Sequence, residues 1–129
     1  VCYISSSKAN SPKKWTSNKK NVRRGKIYVL VTHRPSSDTR DEISIYLGYP
    51  LKKDLDVTAE IDGRKFRLFT DSDSAWARDA KTDRAIAQSM RSGKTLIVRG
   101  ISARGTKTED IYDLSGFTVV HNDINKACR

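Results

Sequence analysis

The two cysteines of this chain, Cys2 and Cys128, stand at its opposite ends, and a bond between them would close nearly the whole polypeptide into one ring. In the chain-entropy view, closing so long a loop removes roughly 4 to 5 kcal/mol of unfolded-state freedom, comparable with the net stability of a domain. Such a disulfide requires the termini to meet and belongs to an oxidising compartment. The competing reading is a pair of free buried thiols in a cytosolic protein. A metal centre fits less well, because only His121 lies near either cysteine and the tight ligand spacing of a zinc site is missing. With 129 residues, the chain is expected to form a single domain over 1–129, long enough to bury one core.

Charge is unevenly placed. Residues 1–40 hold ten Lys or Arg against Asp38 alone, a net of +9, while 41–129 hold fifteen against fourteen, a net of +1. The excess sits in a stretch at about 8–26 that contains Lys13, Lys14, Trp15, Lys19, Lys20, Arg23, Arg24 and Lys26, interspersed with Ser, Asn and Pro. Those three residue types favour turns, so the stretch reads as an exposed basic loop. It is either a solvated surface that aids solubility or an electrostatic footprint for phosphate-rich or sulfated partners. No apolar run approaches the roughly 20 residues needed to span a bilayer. The first residues also lack a basic segment followed by an apolar one, so the expectation is a soluble chain whose signal peptide has been removed.

Beyond the loop the pattern is that of short strands. Residues 25–33 form a β-branched and aromatic run stopped by Arg34-Pro35. Residues 40–49 alternate, with Ile43, Ile45 and Leu47 on one face. Strands over 56–61 and 64–70 are separated by Asp62-Gly63, a pair that favours the positive backbone angles of a type I′ hairpin. Across that turn Val57, Ala59 and Ile61 should face the core with Phe66 and Leu68, leaving Phe69 outward. Trp76 is expected in the core, and Asp71-Ser72-Asp73 to be a polar turn with too few ligands for calcium. Helical spacing over 82–92 and again at Phe117, Val120, Ile124 and Ala127 predicts two short helices flanking a second hairpin, 94–102 with 108–114. Six or so strands without regular strand-helix alternation predict two packed antiparallel sheets.

Catalytic signatures are missing. No serine lies in a nucleophile-elbow context, no glycine-rich phosphate loop opens a helix, and neither histidine has a spaced metal partner. His33 and His121 read as surface or satisfied core residues, and Asp71 with Asp73 offers no sign of a cleft that would raise a carboxyl pKa. The expectation is a protein that is not an enzyme, with no cofactor and no metal.

Taken in order, several segments resemble a known family. They are Cys2-Tyr3-Ile4-Ser5, Arg24-Gly25-Lys26 through Pro35, the Glu42 to Tyr49 strand with Leu51, Ile61-Asp62-Gly63, Phe69 through Ala77, Ser92-Gly93-Lys94, Arg104-Gly105-Thr106 and Leu114-Ser115-Gly116-Phe117. This succession, covering almost the whole chain, is similar to the invasion-associated locus B family of alphaproteobacteria. The resemblance implies a secreted bacterial protein with an immunoglobulin-like β-sandwich, located in the periplasm or outer envelope, linked by name to host-cell entry and to no known reaction. Many relatives carry a further cysteine pair around the segment occupied here by Phe69 to Ala77, which this chain lacks, and relatives tend to have a strand before the Cys-Tyr motif, where this chain has only Val1. The leading expectation is therefore a non-catalytic envelope domain. Its basic loop would meet lipopolysaccharide, a sulfated glycan or an acidic protein, with Trp15 as an anchor. The alternatives are a nucleic-acid-binding module that uses the same loop, disfavoured by a single aromatic residue there, and a purely structural envelope protein.

Overall fold

The computed structural model describes residues 1–6, 10–14 and 25–128, for 10–14 the backbone only. Its strands are β1 (Cys2–Ser5), β2 (Asn10–Lys14), β3 (Tyr28–Arg34), β4 (Thr39–Tyr46), β5 (Val57–Ile61), β6 (Arg64–Asp71), β7 (Ser74–Trp76), β8 (Thr95–Ile101) and β9 (Lys107–Asp113). The helices are α1 (Ala80–Ser92) and α2 (Phe117–Ala127), with a short 3-10 turn at Pro35–Ser37. Pairing runs β1-β3-β4-β7-β6-β5-β8-β9-β2, antiparallel at every step. The expected all-β sandwich with short helices is present, as one curled sheet whose halves join at β6. The first part of that strand, Arg64 to Leu68, pairs with β5, and Phe69 to Asp71 pair with β7.

Local chemistry accounts for the turns. Asp62 and Gly63 have φ of 48° and 90°, the type I′ geometry, and Val57 stands opposite Leu68 and Ala59 opposite Phe66 as the alternation required. The Asp62 carboxylate then accepts the Lys94 N–H at 3.1 Å, tying the hairpin tip to the entry of β8. Helix α1 starts at Asp79, whose side chain accepts the Thr82 N–H at 2.7 Å and so satisfies one of the free donors of the first turn. It buries Ile86, Ala87 and Met90. One continuous core joins these to Val29, Val31, Ile43, Ile45, Leu47, Leu68, Leu96 and Val98.

Four expectations need correction. Trp76 is only partly buried, because in so short a strand Ala75 takes the inward position and Trp76 lies on the outer face opposite Ser44 and Phe69. The buried stripe of α2 is Phe117, His121, Ile124 and Cys128, so Ala127 is exposed and Val120 sits at its margin. Among the described residues the sheet has nine strands, the additional ones being short. Finally, Lys13 and Lys14 belong to a strand, not to a loop: β2 pairs with the free edge of β9, with an irregular register between Asn10 and Lys13. Pro12 lies at that irregularity, which is where an edge strand tolerates a residue without an N–H.

Candidate functional site

The termini meet as the cysteine placement required. Cys2 of β1 and Cys128, just beyond α2, form a disulfide with Cα atoms 6.0 Å apart. Beside it the fold assembles a polar group that sequence spacing did not reveal. His33 is the penultimate residue of β3, His121 lies mid-way along α2, and Asp41 of β4 holds a left-handed backbone angle, φ 56°. Both histidines are almost closed to solvent, 1% and 3% exposed. One donor atom from each of the three residues lies within 4.8 Å of the others.

The hydrogen bonds decide what this group can do. The Asp41 N–H donates to His33 Nδ1 at 3.0 Å, so His33 carries its proton on Nε2 and donates to Asn125 Oδ1 at 2.7 Å. Arg91 has no acceptor atoms, so its guanidinium donates to His121 Nδ1 at 2.7 Å, and His121 Nε2 in turn donates to Asp41 Oδ1 at 2.7 Å. All four ring nitrogens are thus engaged by protein groups. A cation held by His121 Nε2 would push the ring proton onto Nδ1, against the Arg91 guanidinium, and one held by His33 Nδ1 would displace the Asp41 amide. The arrangement fits a polar lock between β3, β4, α1 and α2 better than a metal centre or a general base, which needs a nitrogen facing substrate. Phe117 stacks on His121 with centroids 5.2 Å apart, completing its enclosure.

Close by, Asp83 in the first turn of α1 accepts the Ile43 N–H at 3.1 Å. Burial pushes its carboxyl up to about 6, with Glu42, Asp41 and Asp79 adding in the same direction and the Ile43 hydrogen bond opposing them. Its role is to dock α1 on β4.

At the other end of α2 the structure is open. A cleft of about 290 Å³ runs between β3, β8 and the start of α2, walled by Val29, Val31, Met90, Leu96 and Leu114. Ser6 and Ser115 lie at its rim with Val120. None of these residues carries a sequence signature of binding, since each reads as core or turn.

Of the basic residues singled out from the sequence, Lys13 and Lys14 lie on the edge strand β2 and Lys26 is exposed just before β3. Trp15, Lys19, Lys20, Arg23 and Arg24 lie outside the described residues. Among the described residues no helix is long and apolar enough to cross a membrane.

A family model described as "Invasion associated locus B (IalB) protein" matches residues 11–125. No curated protein and no solved structure matches the chain.

Proposed function

The chain belongs to the invasion associated locus B (IalB) family, and from that premise we propose that it is a non-catalytic protein of the periplasm or outer envelope that holds anionic surfaces through its basic segment. The family is not a known family of enzymes. The observation that carries the reading is the net of +9 in the first forty residues against +1 in all the rest. Within the body of the fold, several cations are matched internally. Arg99 bridges Glu60 at 2.8 Å and Glu109 at 3.0 Å, Arg78 meets Asp56 at 2.9 Å, and Arg34 pairs with Glu42. The N-terminal segment has no such counterweight in sequence, so its field is available to lipopolysaccharide, a sulfated glycan or an acidic protein.

The test is co-sedimentation with vesicles containing an anionic lipid, and titration with a sulfated glycan, at low and high salt. Binding should weaken as salt rises and should be lost when Lys13, Lys14, Lys19, Lys20, Arg23, Arg24 and Lys26 are all changed to Gln. Binding that survives this neutralisation would remove the reading. Preference for single-stranded oligonucleotides over both probes would move the chain to the nucleic-acid alternative.

A further inference from the structure

The outward residues of a sandwich strand meet water and are ordinarily polar. One half of the curled sheet departs from this rule. Across β1, β3, β4, β7 and the end of β6, register places Tyr3 opposite Thr32, Tyr28 opposite Tyr46, and Trp76 opposite both Ser44 and Phe69, all on the face turned away from the core. Half of the chain's aromatic residues thus share one outer face. Leu30, between Ser5 and Ser44, fills the gap among them. The outer face of the other half is built differently: Thr58, Arg99 and Glu109 stand abreast, and Arg99 is ion-paired with Glu60 and Glu109. Both helices bury their apolar stripes in the core, on the opposite side of the sheet.

The aromatic face is a fixed floor. Tyr28, Tyr46 and Trp76 are partly buried, Phe69 is 38% exposed, and Tyr3 at the margin is 64% exposed. Tyr28 and Tyr46 stack with centroids 4.5 Å apart and planes 16° from parallel, and the Trp76 indole N–H donates to Ser74 Oγ at 2.9 Å. Rings held in this way lose little freedom when a ligand settles on them. Charge around them cancels. Arg34 pairs with Glu42 and Arg78 with Asp56, while at the edges Arg67 and Lys26 are balanced by Asp71 and Asp73. The Tyr28 phenol is pushed above its ordinary range by desolvation, then by Tyr46 and Asp73, which sets that acid beside the stacked pair.

These features select among occupants. A single-stranded nucleic acid needs a positive track beside its stacking rings, which a balanced rim does not supply. A second copy needs more area: five strands about 4.8 Å apart and three side-chain rows about 6.8 Å apart cover roughly 270 Å², about a third of the ~800 Å² that each partner of a stable complex buries. A bilayer takes anchors that protrude, and four of the five rings are partly sunk. A pyranose fits, because its C–H groups carry slight positive charge that packs on the negative face of a ring, while its hydroxyls can meet the phenol groups of Tyr28 and Tyr46. We propose that this aromatic face binds a neutral glycan chain of β-linked pyranoses. The site is separate from the basic segment and does not rest on the anionic-surface reading.

Calorimetric titration of the intact chain with cellohexaose and with chitohexaose tests it. At least one should bind saturably with a Kd below about 1 mM, and equally well at low and high salt, because no ion pair is formed. Phe69→Ala and Trp76→Ala should each weaken that binding at least about tenfold. Phe69 packs on the solvent side, so its variant should leave thermal unfolding in place and keep the test valid if Trp76→Ala is unstable. Tyr46→Phe, which keeps the stack and removes one hydroxyl, should weaken binding about threefold. The proposal falls if neither hexaose saturates, if both alanine variants bind as before, or if binding fades with salt and is lost when the basic segment is neutralised. It also falls if the two alanine variants abolish instead self-association, binding to zwitterionic vesicles or binding to a single-stranded oligonucleotide, since the occupant is then a second copy, a bilayer or a nucleic acid. Hexaose binding in a chain that ignores anionic vesicles would sink the surface reading and keep this one, and the converse result would do the reverse.

Discussion

The two ends of helix α2 solve opposite problems. At its C-terminal half, His121, Asn125 and Cys128 are consumed by the protein: one ring nitrogen on Asp41, the other on Arg91, an amide oxygen on His33, and a sulfur on Cys2. At its N-terminal end, Phe117 and Val120 face a space that their neighbours leave unfilled. Polar groups buried near one another invite a reading as a reactive centre, yet here every ring nitrogen has a protein partner, and the chemistry that remains is structural. Aliphatic side chains invite a reading as mere core, yet here they wall a space that is left open. The difference teaches that what decides function is unsatisfied capacity, not residue type.

The comparison can be broken at the locked end, where the largest effect is expected. Replacing Cys2 and Cys128 with Ser opens the ring and should lower unfolding stability by about 4 to 5 kcal/mol on the chain-entropy model. The midpoint of denaturant unfolding measures it, and alkylation should leave both cysteines of the native protein unlabelled until reduction. Next in size is His121→Ala, which strips Arg91 and Asp41 of a shared partner in a nearly closed site and should cost about 3 kcal/mol. Combined with His33→Ala, the losses should fall short of additive, since both rings depend on Asp41. In the same region, added zinc should leave the melting temperature of the native chain unchanged, and a rise would restore the metal reading.

A smaller effect concerns pH. Because the folded-state pKa of Asp83 is raised, to about 6, the folded protein holds this proton more tightly than the unfolded chain does. Stability from this group therefore increases as pH falls through about 6 and is fully gained only near the ordinary aspartate value of about 3.9; it is absent at neutral pH. Asp83→Asn should remove that component and raise stability at neutral pH by about 1 to 2 kcal/mol, a figure reduced for the carboxylate's partial exposure. Unfolding curves of both proteins across roughly pH 4 to 8, about two units on either side of the folded-state value, check it. The smallest effect belongs to the open end. Val120→Ile adds one methylene toward unfilled volume and should be neutral or stabilising by up to about 0.8 kcal/mol, where a packed core would resent it.

Much of the architecture was legible in residue order because short-range physics governs it. Asp62-Gly63 forms its hairpin turn from backbone preferences alone, and the alternation at Ile43, Ile45 and Leu47 survives as buried residues. Trp76 was misjudged because size suggests burial, whereas strand alternation sets it on the face away from Ala75, where it stays partly exposed and its indole N–H donates to Ser74 Oγ at 2.9 Å. In the stripe of α2, Phe117 and Ile124 stand as expected, but Val120 and Ala127 give way to His121 and Cys128, because His121, polar by type, is buried by its partners. The histidine group itself left no local trace. Its members come from β3, β4 and α2, and Asn125 lies 92 residues from His33.

By itself, then, the order of amino acids determined the strand and helix periods and the confinement of net charge to one segment, while the meeting of Cys2 with Cys128 came from the fold. These depend on composition and on neighbours along the chain. Tertiary structure alone decided that two histidines share one aspartate and that a slot stays open between β3 and α2. Both depend on how elements distant in sequence are set side by side, and no period or spacing along a strand or helix encodes the space left between them.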